Sequence, residues 1–342
     1  MGVNIRELLV SKPTSIEQLS GKVLVVDSYN FLYQFLSTIR MRDGSLLRDS
    51  KGLVTSHLNG LFYRSAHLMQ QSIKLAFVFD GEPPALKRSE LKARRERKEE
   101  AMEKFEAAKK KEDIGEMRKY AAMTSRLTDE MVAEAKILVE AMGMPVVQAP
   151  SEGEAQASYI AKKGDAYAVA SQDYDCLAFG APRLVRNLSA AGRKKIAGKA
   201  AYKDVEPEII ELDENLRHMA LDREQLIAMC ILIGTDYNPG GVKGIGPKKA
   251  LKLVTENKGN LEKMFTSVMM EHSAASWSEI FSTIQNMPVT DRYSLKWRPV
   301  DEARVIEILC GKHDFSEERV RPSLQRIKDS AGKDTTLASW FR

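Results

Sequence analysis

Apolar residues follow two alternating rhythms along the chain. Short unbroken runs at 22–27 (KVLVVD), 74–80 (KLAFVFD), 146–148 and 166–171 predict buried strands. Between them apolar residues recur at helical spacing, as in SYNFLYQFL after the first run. APSEGEAQASYIAKKG predicts a helix after Pro150 with Ser151 as its cap. Strands alternating with helices predict an open α/β sheet. From 222 onward the pattern turns helical: DREQLIAMCILIG, a glycine-rich turn, PKKALKLVTENKG, then helices over 260–286 and 301–310. Residues 87–136 are highly charged with few large apolar side chains, which predicts a solvated helical hairpin. Within it Lys87, Leu91 and Arg94 lie at i, i+4 and i+7 on one helix face. From 329 the chain reads as disordered until its aromatic end.

Composition narrows the class. The 342 residues are 43% hydrophobic and 29% charged, as in a globular protein, and no apolar run reaches membrane-span length. MGVNIRELLV lacks the apolar core of a secretory signal, and Arg6 stands where a myristoylation signal needs Ser or Thr. The three cysteines, Cys176, Cys230 and Cys310, are isolated in apolar segments, which predicts buried thiols in a reducing compartment. The five histidines (His57, His67, His218, His272, His313) share no ligand spacing, so a zinc site is not expected. A net charge of +5 hints at a polyanionic partner.

The chemistry concentrates in acids. Three strand-like runs end in aspartate: Asp27, Asp80, and the pair Asp173/Asp175 in VASQDYDCLAFG. In an extended chain residues i and i+2 face the same way, which would put Asp173 and Asp175 on one side. Ligands of open α/β sheets bind at the carboxyl ends of strands, so these acids should gather at one edge. PSEGEA adds Glu152 and Glu154 at a helix start, and LIGTDYNPGG adds Asp236. Singly, each has an ordinary explanation as turn former or helix cap. Together, seven carboxylates would repel without cations. Oxygen donors without histidine or thiolate favour magnesium or manganese, and two such ions can clamp the attacking water and leaving oxygen of a phosphodiester.

GGVKGIGPKKA fails the P-loop spacing and the dinucleotide fingerprint. Gly244, Ile245 and Gly246 between two helices resemble a helix-hairpin-helix, whose N–H groups meet a DNA phosphate with Lys248 and Lys249 nearby. The tail DTTLASWF resembles the sliding-clamp binding box. Leu337, Trp340 and Phe341 fit its anchors, displayed on a short 3₁₀ turn, and Asp334 replaces the expected glutamine.

VVDSYNFLYQFL, TSHLNGLFYR, FVFDGEPPALK, QAPSEGEAQASYIA, ASQDYDCLAFG and LIGTDYNPGGVKGIGPKKA resemble, in order, the motifs of flap endonucleases in the XPG-related structure-specific 5′ nuclease family, most of all archaeal members. The resemblance implies an α/β fold: a twisted PIN-like sheet flanked by helices, a helical arch, and a helix-hairpin-helix subdomain. It implies an N region over 1–98, part of the arch at 99–115, and an I region over 116–258 with the helix-hairpin-helix at 222–258. A helical part follows at 259–328, then a flexible tail at 329–342.

It implies two magnesium ions per chain, with manganese as a substitute. Asp27, Asp80, Glu152 and Glu154 form one group of ligands; Asp173, Asp175 and Asp236 form the other. Lys87 and Arg94 are the catalytic cations at the arch base. Tyr33 stacks on a substrate base, Thr55 and Arg64 contact DNA, and Gly2 lies near the metals. Potassium can sit at the helix-hairpin-helix. The expected partners are 5′-flap and double-flap DNA and the sliding clamp PCNA, through 334–342. No membrane is expected, and the protein should act as an intracellular, DNA-associated monomer, in the cytoplasm or nucleoid if archaeal. The expected activity is 5′-flap endonuclease and 5′–3′ exonuclease cleavage in Okazaki-fragment maturation and long-patch base-excision repair. Two alternatives stay open: a clamp-recruited DNA-binding scaffold with a vestigial metal site, and a general RNase of the related PIN type.

Overall fold

A computed structural model describes residues 2–190, 192–195, 202–268 and 275–340. The predicted alternation is present. After a two-residue edge strand β1 (Lys12–Pro13), β2 (Val23–Asp27) leads into α1 (Ser28–Thr38). Helix α2 (Ser56–Gln70) leads into β3 (Lys74–Phe79). A charged helical pair follows, α3 (Arg88–Lys110) and α4 (Ile114–Ala121). Next come α5 (Asp129–Ala141), β4 (Val146–Gln148), α6 (Gly153–Lys162), β5 (Ala168–Ala170) and the single turn α7 (Asp175–Ala178).

One sheet runs β1-β9-β6-β5-β2-β3-β4, where β6 is Arg183–Arg186 and β9 is Glu208–Glu211. The five strands from β6 to β4 are parallel, and β9 and β1 close the other edge antiparallel. Between β6 and β9 a separate ribbon pairs β7 (Gly192–Lys195) with β8 (Tyr202–Val205). Residues 181–211 gave no strand signal in the sequence. Their strands are four residues long, and β6 and β9 each begin and end on charged side chains, which dilutes the apolar pattern.

Side chains alternate across the sheet. On β2, Leu24 and Val26 enter one core and Val25 the other. The first core lies beneath α1, α2 and α5. The second lies beneath α6 and α7 and the C-terminal helices α8 (Leu212–Met219), α9 (Arg223–Ile233) and α10 (Pro247–Glu256). Helices α11 (Leu261–Ser267) and α12 (Trp277–Gln285) extend this second face. An irregular strap over 287–301 then crosses the molecule, pinned by Trp297 Nε1 to the Leu75 carbonyl at 2.8 Å and by paired bonds between Gln156 and Thr290. Helix α13 (Glu302–Ile306) passes into a π-turn, and α14 (Glu317–Trp340) lies against α2.

Two expectations need correction. Helix α6 begins at Gly153 with Glu152 as its N-cap. Ser151 does not cap it; its hydroxyl donates to the Glu82 carbonyl at 2.8 Å. The charged helical pair spans 88–121, within the expected 87–136, and Phe105, Ala108, Met117 and Ala121 form a small apolar seam between its helices. The described chain beyond 328 is α-helical where a 3₁₀ turn was expected. Helix α14 continues through Asp334 and Leu337 to Trp340, since no proline follows Pro322 to stop it. Phe341 lies outside the described residues. Among the described residues no helix is long and apolar enough to cross a membrane.

The sheet core makes a direct test of the fold. Phe77 is 1% exposed, with its ring edge-on to Phe31. Phe77→Ala should destabilise the protein by about 3–5 kcal/mol, read as a lower denaturant midpoint with an unchanged m-value.

Candidate active site

Strand order reverses between β2 and β5, since β2 continues to β3 on one side while β5 continues to β6 on the other. The crevice beyond such a switch point is where ligands sit in open α/β sheets. Asp27 ends β2 and accepts the Asn30 N–H at 3.1 Å as the N-cap of α1. Asp80 follows β3 and accepts the Gly153 N–H at 2.9 Å. A Cβ on Gly153 would come within 2.4 Å of that carboxylate, so only glycine allows this approach.

Asp173 and Asp175 reach the crevice differently from the extended pairing expected of them. Strand β5 ends at Ala170, three residues before Asp173. The Asp173 N–H donates to Ser171 Oγ at 3.1 Å, and Asp175 opens α7. Asp175 accepts the Val3 N–H at 2.9 Å, and Gly2 packs against its carboxylate. Asp236 stands in the turn after α9. There the Thr235 hydroxyl donates to Asn238 Oδ1, and Asn238 Nδ2 donates to the Ile231 carbonyl, both at 2.7 Å.

All seven acids meet here. Glu152, Glu154, Asp175 and Asp236 line one cavity with Lys87 and Tyr237. Asp27 lies in the field of Asp80 and Asp173, and Glu154 in the fields of Asp175, Asp27 and Asp173. Burial first, then this mutual repulsion, lifts the Asp27 carboxyl to about 7 and Asp80 to about 6. The same two causes push Glu154 well above the ordinary glutamate range.

The counter-charge comes from the hairpin base. Lys87 Nζ lies 2.6 Å from Glu152 and 3.2 Å from Asp236. Arg94 bonds Asp236 and also Glu90, the latter at 2.8 Å. Burial alone would lower the Lys87 ammonium, but Glu152 and Asp236 outweigh it and hold it above the ordinary lysine value.

Among the described residues no three donors already surround a common point. The chemistry of the set nonetheless fits a hard divalent cation: seven carboxylates gather there, several of them raised by burial and mutual repulsion, while burial keeps the neighbouring Cys176 and Cys230 thiols protonated. Asp27, Asp80, Glu152, Glu154, Asp173, Asp175 and Asp236 are the residues that would hold it.

Supporting residues were missing from the sequence reading. Asn30 links the two sides of the crevice, donating to Asp173 at 3.1 Å and accepting from the Gln172 N–H at 3.1 Å. Ser171 donates to Asp27 at 3.0 Å. The only signal for them was closeness to the acids in VVDSYN and ASQDYD.

The remaining candidates lie around this centre. Tyr33 is half-buried on α1, with the Lys98 ammonium 4.3 Å from its ring centroid. Thr55, the N-cap of α2, is 5% exposed, which leaves its side chain little surface; Arg64 is half-buried on α2. Between α9 and α10, Gly244 takes φ +76° and Gly246 caps α10. Lys249 donates to the Gly244 carbonyl at 3.3 Å, and Lys248 is exposed beside it.

A doubly flanked α/β sheet that collects carboxylates at its switch point, under a cationic helical hairpin, defines the class of acid-centred α/β nucleases. The XPG N-terminal domain family matches residues 3–101 and the XPG I-region matches 143–236. Flap endonuclease 1 of Thermococcus onnurineus is 53% identical over 100% of this chain and 99% of its own length. That of Pyrococcus furiosus is 52% identical over the full length of both. The structure of flap endonuclease-1 from Methanococcus jannaschii aligns with a TM-score of 0.76 at 44% identity, covering 97% of this chain and 100% of that one. The catalytic core of Rad2 aligns with a TM-score of 0.69 over 94% of this chain and 97% of that one, and at 22% identity bears on the fold alone. The chain belongs to the XPG-related flap endonuclease family.

The raised carboxyls give a pH prediction. A folded value of about 7 for Asp27 lies above its unfolded value near 4. The stability this provides is full below about pH 4 and is lost as pH rises through about 7. In chelator at pH 8, Asp27→Asn should therefore be more stable than wild type by a few kcal/mol, with the gap closing near pH 4. Thermal unfolding across pH checks this, and a less stable variant at pH 8 would contradict it.

Proposed function

We propose that this protein is a magnesium-dependent 5′-flap endonuclease with 5′–3′ exonuclease activity. The observation that carries the reading is the convergence of seven carboxylates with Lys87 and Arg94 at the base of the α3–α4 hairpin. Near-complete length and 53% identity to a flap endonuclease support it.

Bound magnesium, or manganese in its place, supplies neutralising charge and an activated water at the scissile phosphodiester. Asp27, Asp80, Glu152 and Glu154 would hold one ion, and Asp173, Asp175 and Asp236 the second. Lys87 and Arg94 exchange their carboxylate partners for oxygens of the scissile phosphate and stabilise the charge that develops there. The hairpin forms the arch through which the single 5′ strand passes. Tyr33 offers an aromatic face to the base beside the cut, with Lys98 poised on that ring.

Attack at phosphorus breaks the bond to the 3′ oxygen and leaves a 5′-phosphate and a ligatable nick. The α9–α10 turn, with the N–H groups at the start of α10, Lys248 and Lys249, grips duplex phosphates. A potassium ion at that turn belongs to the same reading. Thr55 and Arg64, at the start and in the middle of α2, belong to the same reading as DNA contacts. The 334–342 motif supports recruitment by a sliding clamp, which requires the end of α14 to release it. The role is Okazaki-fragment maturation and long-patch base-excision repair, in an intracellular, DNA-associated protein.

A labelled double-flap DNA tests the reading. Wild type with magnesium should cut at the flap base, and Asp173→Ala should lose at least ~10³-fold in rate, a scale comparable to loss of a key electrostatic group. Lys87→Ala should lose a similar factor in the single-turnover rate while retaining junction binding. Equal cutting by Asp173→Ala would reject the site. Tight junction binding without cleavage by wild type would favour a scaffold.

A further inference from the structure

Outside the acid crevice, the fold brings together two histidines and two carboxylates that no spacing in the sequence relates. His57 lies in the first turn of α2 and Glu134 in α5. His313 follows the π-turn after α13, and Asp49 sits in the loop before α2. His313 is buried between two carboxylates, with Nδ1 3.0 Å from Asp49 and Nε2 3.1 Å from Glu134. Asp49 is itself locked, accepting the N–H groups of Lys51 at 3.0 Å and Leu53 at 2.8 Å. His57 is fully buried, and neither of its ring nitrogens has a hydrogen-bond partner. Its Nε2 faces the other oxygen of Glu134 at 3.9 Å.

A buried imidazole with two orphaned nitrogens needs an explanation, and an ion is one that its neighbours supply. The Glu134 carboxylate lies between the two Nε2 atoms. Neighbouring ligands of tetrahedral zinc stand about 3.3 Å apart, as bonds of ~2.0 Å at the tetrahedral angle require. The observed 3.1 and 3.9 Å bracket that value. The Asp49–His313 pair reproduces the arrangement in which a carboxylate orients a metal-bound imidazole through its second nitrogen.

Glu134 is 35% exposed at its side chain and gives an ion a path in. With both imidazoles neutral, Asp49 and Glu134 carry the charge that one divalent ion cancels. Burial favours the neutral form of His57, which is the form that ligates. No three donors are pre-arranged about one point among the described residues, so the ion must replace the His313–Glu134 hydrogen bond and draw His57 inward.

We propose that His57, His313 and Glu134, with Asp49 behind His313, form a binding site for zinc or a similar imidazole-seeking divalent ion. The site would cross-link the loop before α2, α2 itself, α5 and the segment entering α14. It would thus tie the two ends of the chain together beside Thr55, and closing so long a loop should stabilise the fold.

The test uses full-length, metal-stripped protein in excess magnesium, which occupies the carboxylate crevice and competes poorly for imidazole. Cobalt(II) should then bind at one equivalent per chain with the visible absorption of a tetrahedral site. Zinc should displace it and raise Tm by several degrees. His313→Gln and His57→Asn should each lose the absorption and the Tm gain. Asp173→Asn should keep both. Unchanged circular dichroism of either histidine variant in chelator shows that folding is not the cause of the loss. Absence of cobalt binding in magnesium would overturn the proposal, as would binding that persists in both histidine variants.

Discussion

The structure is organised around a charge problem. Two carboxylates about 4 Å apart repel by roughly 4 kcal/mol at an effective dielectric near 20, and this fold brings seven into one crevice. Four of them are anchored by the fold around the strand ends: Asp27 caps α1 at the end of β2, Asp80 accepts from the start of α6, Asp175 accepts from Val3, and Asp236 sits in the Thr235–Asn238 turn. They cannot separate without dismantling the strand ends. Their charge must therefore be neutralised by protons, by cations of the chain, or by ions from solution.

Protons and chain cations both contribute in the metal-free state. Asp27 and Asp80 are lifted toward neutrality, and Lys87 and Arg94 reach down from the hairpin to Glu152 and Asp236. Two cations do not balance seven acids, which leaves the crevice suited to divalent ions. The same contacts tie the base of the α3–α4 hairpin to the carboxylate crevice. Ions that take over Glu152 and Asp236 would release Lys87 and Arg94 to meet the substrate phosphate.

Much of this was legible in the chain. Apolar runs ending in aspartate mark β2 and β3 and place Asp27 and Asp80 correctly. The apolar helix before LIGTDYNPGG marks α9 and its turn. What was not legible depends on contacts between distant segments. The Asp173/Asp175 pairing failed as an extended-strand argument because β5 stops at Ala170 and a turn delivers the two acids. Strands β6 and β9 were invisible because each offers only a short apolar stretch between charged ends. The tail read as disordered because it is polar, yet α14 continues through it. His57 and His313 share no motif, and only packing of the first and last parts of the chain brings them to Glu134.

The central claim is that this crevice is a divalent-ion site whose cations of the chain are placeholders. Crystals of the protein grown with manganese, measured for anomalous scattering, test it most directly. The account predicts anomalous peaks among Asp27, Asp80, Glu152, Glu154, Asp173, Asp175 and Asp236, with Lys87 and Arg94 turned away from Glu152 and Asp236. A crevice without anomalous density at saturating manganese, with both ion pairs still in place, would contradict it.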